Sequence, residues 1–188
     1  PDYLTSKTAT TSFTTHKLTV AFTFKGTIDS CEKTNKITFT NTSTKTPNFG
    51  WVKYTWIYGD GSQDTGLNAT HTYNKGGNFT VNLVASPALN CVDIATTTKP
   101  IFIVPRPVSK PFEKANDTVQ CFDGHVFHFD DNTQLAKIPK CAYIRTWYFN
   151  DQDSATIPNP TKSYLAPGRY RIHYKSETLY DNKPTGCT

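Results

Sequence analysis

Trp56-Ile57-Tyr58-Gly59-Asp60-Gly61 returns later in the chain as Trp147-Tyr148-Phe149-Asn150-Asp151-Gln152, displaced by 91 residues. The displacement persists without a gap: His71-Thr72-Tyr73 answers to Lys162-Ser163-Tyr164, and Gly77-Asn78-Phe79-Thr80-Val81 to Gly168-Arg169-Tyr170-Arg171-Ile172. Upstream, Cys31 and Ile37-Thr38-Phe39 correspond to Cys121 and Phe127-His128-Phe129 at an offset of 90, and downstream Cys91 and Cys187 differ by 96. Constant register across strands, with length changes confined to loops, is the mark of a duplicated domain and too long a period for a solenoid unit.

Outward from this repeat, short runs alternate apolar and polar residues: Leu18, Val20, Phe22 and Phe24; Ile37 and Phe39; Phe79, Val81 and Leu83. Period-two alternation between turn residues reads as half-buried strands. Composition agrees, because Thr is abundant, aromatics reach 13% and Met is absent, a profile that suits pleated surfaces better than helices. The reading is all-β: two tandem immunoglobulin-like β-sandwich domains, at residues 17–104 and 112–188. Pro105, Pro107 and Pro111 make residues 105–111 a short stiff Pro-rich linker. Residues 1–16 form a Thr/Ser-rich N-terminal segment, either a lead-in or a strand able to pair with a sheet edge and mediate self-association. The first residue is Pro, so the numbering is expected to begin inside a longer product.

The ordered motifs W-I-Y-G-D-G, H-T-Y and G-N-F-T-V-N-L-V followed by Cys91 resemble the PKD (polycystic kidney disease) domain family over residues 17–104. The second copy resembles it less closely: Asn150-Asp151-Gln152 stands for Gly-Asp-Gly and Lys162 for His71, while Trp147, Tyr164, Gly168 and Tyr170 are kept. The resemblance implies an immunoglobulin-like sandwich. Independently of it, Trp56 and Trp147 have the size to fill the space between sheets, and Tyr73 and Tyr164 sit where a hydroxyl ties a corner to backbone.

By their places in the repeat, Cys31 and Cys91 match Cys121 and Cys187, and the simplest connectivity is one disulfide per domain. Each would close about 60 residues and be worth about 4 kcal/mol, and each implies an oxidising compartment. Cys141 has no counterpart, leaving open a free buried thiol, competition for Cys121, or a bridge to another chain. Glycosylation candidates are the acceptor triplets at Asn41, Asn68, Asn78 and Asn116; Asn68 and Asn116 read as the better placed. Asp117-Thr118-Val119 and Asp153-Ser154-Ala155 resemble a short bacterial O-glycosylation signal at Thr118 and Ser154.

Chemistry is sparse. His125 and His128 fall on opposite faces of a strand and cannot share one ion. Asp130-Asp131, Asp151, Asp153, Asp60 and Asp64 lack calcium-loop spacing, and Asp60 reads as capping its own turn. No phosphate loop, nucleophile elbow or zinc-protease motif occurs. The expectation is therefore no enzyme, no cofactor and no metal. The net charge of +5 comes with lysines spread singly through the first half, which argues against nucleic acid. No run of about 18 apolar residues is present, so no direct membrane insertion is expected. Expected partners are other protein chains or surface glycans at an extracellular or cell-surface location. PKD domains by resemblance serve as stalks, spacers and contact surfaces of bacterial adhesins and other surface proteins, or of extracellular fibres. The other reading is a carbohydrate- or matrix-binding accessory region of a secreted hydrolase, with Trp51 as its stacking platform.

Overall fold

The computed structural model describes residues 14–26, 31–32, 35–88, 92–113, 118–150 and 152–188. They form strands and no helix. The strands are β1 (Leu18–Thr19), β2 (Phe22–Lys25), β3 (Ile37–Asn41), β4 (Thr44–Lys45), β5 (Val52–Ile57), β6 (Gln63–Thr65), β7 (Ala69–His71), β8 (Gly77–Pro87) and β9 (Ala95–Ile103) in the first half. The second half carries β10 (Pro111–Glu113), β11 (Phe127–Asp131), β12 (Cys141–Tyr148), β13 (Ser154–Ala155), β14 (Thr161–Lys162), β15 (His173–Tyr180) and β16 (Lys183–Pro184).

In the first half a three-stranded sheet, β2-β3-β7, opposes a four-stranded sheet, β6-β5-β8-β9, and β1 pairs with β4. In the second half the orders are β10-β11-β14 and β13-β12-β15-β16. All named pairs are antiparallel, and the register itself recurs: Trp56 lies across from Leu83 and Asp64, and Trp147 lies across from Tyr174 and Ala155. Alternation explains what each strand buries, since side chains at every second position face the opposing sheet.

The two cores differ in depth. Between the first pair of sheets, Phe22, Ile37, Phe39, Trp56, Tyr58, Tyr73, Val81, Leu83, Ile101 and Ile103 form one buried cluster. Between the second pair the buried cluster is Phe129, Trp147 and Phe149, with Phe127, Ala155, Ile172 and Tyr174 half-buried against it.

The proline-rich segment is packed rather than free. Pro105 and Pro107 are buried, and a Cβ on Gly76 would stand 2.3 Å from the Pro105 Cα, so that glycine admits the closest approach of the two backbones. Val108 exchanges backbone hydrogen bonds with Gln134, the Thr178 hydroxyl donates to the Pro105 carbonyl at 2.7 Å, and Phe102 meets Tyr180 with ring centroids 4.6 Å apart. The segment is thereby an edge of the second half.

The cysteines join differently from the one-per-domain expectation. Cys31 is bonded to Cys187, 156 residues away, while Cys121 and Cys141 are free thiols; Cys91 lies outside the described residues. Neither Cys31–Cys91 nor Cys121–Cys187 is therefore the pairing. The reason is the geometry of the junction between the two halves. Cys31 forms a parallel bridge with Val104 at the exit of the first half, and the Cys187 carbonyl accepts from the Thr178 N–H beside the Pro105 contact. The junction brings these cysteines to a Cα separation of 5.4 Å, within the reach of a disulfide.

Candidate functional site

The Gly-Asp-Gly turn is the most polar constellation of the first half. Gly59 takes φ +82° and Gly61 φ +94°, values open to glycine at little cost, and a Cβ on Gly59 would lie 2.7 Å from the Thr80 carbonyl oxygen. Asp60 closes the turn, accepting from the Ser62 N–H at 3.0 Å and pairing with His71 Nε2 at 2.7 Å. His71 stacks on Tyr58 at 3.9 Å, and the Tyr58 hydroxyl donates to Asp64 at 2.9 Å. Burial pushes the Tyr58 hydroxyl above its ordinary range, helped by Asp64.

This array does not build a nucleophile. Ser62 Oγ and Asp60 Oδ2 approach the same imidazole nitrogen, at 3.4 and 2.7 Å, whereas a serine–histidine–aspartate relay uses both nitrogens, one for each partner. Its role is to hold the turn. Burial by itself would push the Asp60 carboxyl up, but hydrogen bonds from Ser62 and His71 outweigh it and hold the group below the usual carboxylate range. A carboxyl depressed on folding contributes stability that is present above its unfolded pKa of about 3.9 and is lost as pH falls through the folded value. Thermal melts taken from about pH 5 to about pH 3 should show that loss, and Asp60→Asn should be less stable at neutral pH yet change less over the same interval. An equal acid response in the variant would remove Asp60 from the explanation.

In the second half Asn150 holds the corresponding turn, accepting from the N–H groups of Gln152 and Asp153 at 3.0 and 3.1 Å. Lys162, in the place of His71, pairs with Asp153. A buried carboxylate at the end of β11 serves another purpose: Asp131 accepts from Arg145 Nε at 2.9 Å, the Tyr174 hydroxyl at 2.7 Å and the Thr133 N–H at 2.8 Å. Burial opposes its ionisation, and the hydrogen bonds from Thr133 and Tyr174, with the Arg145 charge, lower its pKa nonetheless. It is a structural ion pair. Among the described residues no group of three potential metal-ligating side chains comes together.

Two corner tyrosines are tied to backbone. The Tyr73 hydroxyl donates to the Tyr58 carbonyl at 3.0 Å and the Tyr164 hydroxyl to that of Phe149 at 3.4 Å; Trp56, Tyr73, Trp147 and Tyr164 are all buried. The sequence reading missed what holds the other side of each tyrosine. Asn35 Oδ1 accepts the Tyr73 N–H at 2.7 Å, its amide donating to the Tyr73 and Cys31 carbonyls. His125, at the equivalent place, accepts the Tyr164 N–H through Nε2 at 2.7 Å while Nδ1 faces the Phe122 carbonyl. His125 is thus a positioning residue, and His128 is exposed.

An open cleft of about 380 Å³ is lined by Phe127, Phe129, Tyr170 and Ile172 together with Thr118, Val119 and Gln120. Of the modification candidates, Asn68, Asn78, Thr118 and Ser154 are exposed. Asn41 is half-buried, with Oδ1 accepting from the Ser43 N–H, and Asn116 lies outside the described residues. Trp51 is 67% exposed.

The comparisons with known proteins fall on this architecture. One solved structure, described under the promiscuous specificity of carbohydrate-binding modules from the β-sandwich superfamily, is similar at 14% identity and a TM-score of 0.39, covering 88% of this chain and 85% of its own. No curated protein matches. Residues 10–101 match the family model of the PKD domain, the span that holds the Gly-Asp-Gly turn, the His71–Tyr73 strand end and β8. Over that span the chain belongs to the PKD domain family.

Proposed function

We propose that this chain is a non-catalytic extracellular structural or adhesion module of a cell-surface protein or extracellular fibre, made of two tandem PKD-type sandwiches at residues 17–104 and 112–188. The observation that carries the reading is the Cys31–Cys187 bond, added to a PKD match over 10–101. A structural disulfide persists in oxidising compartments. This one ties the segment between β2 and β3, where Cys31 bridges Val104 just beyond β9, to Cys187 beyond β16, as a spacer that transmits orientation requires. Peptide mapping without reductant on chain isolated from its native source should recover Cys31 linked to Cys187. Recovery of both as free thiols would place the protein in a reducing compartment and sink the proposal.

The second reading, a carbohydrate- or matrix-binding accessory region of a secreted hydrolase, is favoured by the exposure of Trp51, since a solvent-facing indole offers a stacking surface. Pull-down with insoluble polysaccharides, lost in Trp51→Ala, would support it. Absence of retention would remove it.

A further inference from the structure

The outward face of the second four-stranded sheet is charged differently from that of the first. Ile172 and Tyr174 pack against the cluster of Phe129, Trp147 and Phe149, and Tyr170 stacks on Tyr164 with ring centroids 3.6 Å apart. The residues that alternate with them, Arg169, Arg171, His173 and Lys175, therefore point the other way, and all four are exposed. At the corresponding positions the first half carries Asn78, Thr80, Asn82 and Val84, none of them charged. A strand hydrogen-bonded along this edge would lie in the plane of the sheet, so the row stands open whatever pairs there.

The row is not a by-product of overall positive charge. Residues 112–188 hold as many Asp and Glu as Lys and Arg, and Arg145, Lys162 and Lys140 are each matched by a carboxylate, that of Asp131, Asp153 and Asp181. Beside the row Glu177 reaches Lys175 at 3.5 Å and also accepts from the Gly186 N–H at 2.9 Å. Arg169 and Arg171 have no ion-pair partner among the described residues. Across the sheet β12 adds no opposing charge: Thr146 lies opposite Lys175 and Tyr148 opposite His173, and Tyr148 is 41% exposed.

We propose that this face of the second half binds a linear acidic polysaccharide, with its carboxylate or sulfate groups on Arg169, Arg171 and Lys175 and a sugar ring against Tyr148. Guanidinium groups present forked N–H donors that match paired anionic oxygens. Tyr148 offers a ring for the C–H side of a sugar and a hydroxyl for its polar edge, and Thr146 and His173 add donors between the charges. Nucleic acid carries the same sign of charge. However, the Cys31–Cys187 bond belongs to an oxidising compartment, and a single exposed aromatic beside the row falls short of the successive stacking platforms that nucleic-acid single strands use. The proposal rests on the adhesion-module reading and names the class of its partner.

The test uses the whole chain and immobilised polygalacturonate, a linear polyuronate, with neutral dextran as the blank. The chain should bind the polyuronate and not dextran, more weakly as salt is added. Arg169→Gln/Arg171→Gln should weaken binding about tenfold while melting with the parent, and Tyr148→Ala should weaken it severalfold. The control Lys25→Gln/Lys36→Gln removes the same charge from exposed positions of the first half and should leave the affinity unchanged. Equal losses in the two charge-matched variants would mean attraction by overall charge and overturn the proposal, as would no binding at all. Tighter binding of oligo-dT or of phosphatidylserine vesicles than of polygalacturonate, lost in the same arginine variant, would assign the row to nucleic acid or to a membrane surface and overturn it too. The two readings fail separately. Loss of polyuronate binding leaves the Cys31–Cys187 mapping untouched, whereas free thiols in that mapping count against the module and not against the row.

Discussion

Replacing Cys31 and Cys187 together by serine should destabilise the chain by about 5 kcal/mol, the loop-entropy value for a cross-link closing 156 residues. For a chain of this size that corresponds to a fall of about 15 °C in melting temperature. The change in shape of the transition is as informative as its position. The bond spans both halves, so the unfolded ensemble it restricts includes both cores. With the bond gone, the half whose buried cluster is Phe129, Trp147 and Phe149 should melt first, and the half with the larger cluster later. Differential scanning calorimetry of the parent and double variant, both without reductant, checks this. A shift under about 3 °C, or an unchanged single transition, would show that the junction is held by Thr178, Pro105 and the Phe102–Tyr180 contact instead.

Truncating Trp56 should have the next largest effect. Its ring is 0% exposed and meets Phe22 and Phe39 at centroid distances of 5.2 and 5.6 Å, and its indole N–H donates to the Gly66 carbonyl at 3.1 Å. Trp56→Ala leaves a cavity among rings that cannot collapse into it, at a cost of about 4 kcal/mol. Trp147 is as buried, but its indole N–H has no acceptor among the described residues. Trp→Phe therefore separates the two sites. Trp56→Phe gives up a satisfied hydrogen bond, whereas Trp147→Phe removes a buried donor that is already unpaired, so the first should cost about 1 kcal/mol more than the second. Urea denaturation of both variants reads the difference, and equal costs would mean that the Gly66 bond adds nothing.

The contrast between these tryptophans shows what sequence could and could not reveal. Trp56 and Trp147 mark corresponding strand positions, each across from its β8 or β15 partner, because hydrophobic alternation and turn residues act locally. The register of β5 with β8 and of β12 with β15 follows from the same pattern. Cysteine pairing is not local. Corresponding positions in a repeat say where each thiol sits in its own half, and the Cys31–Cys187 bond depends on how the chain turns at Pro105. Asn35 escaped notice, and His125 was weighed only as a metal ligand, for a related reason: one duty, accepting a tyrosine N–H, is carried by different side chains.

The bond at the junction also changes how the molecule answers a pull. Tension applied between residues 1 and 188 runs along the first 31 residues and then crosses through sulfur to Cys187, leaving the 156-residue span between the bonded cysteines slack. Both cores lie almost wholly inside this bypass. While oxidised, only the segment before Cys31 can lengthen under load. Reduction would put the bypassed length, about 500 Å when fully drawn out, back into the load path and turn the same polypeptide into an extensible one.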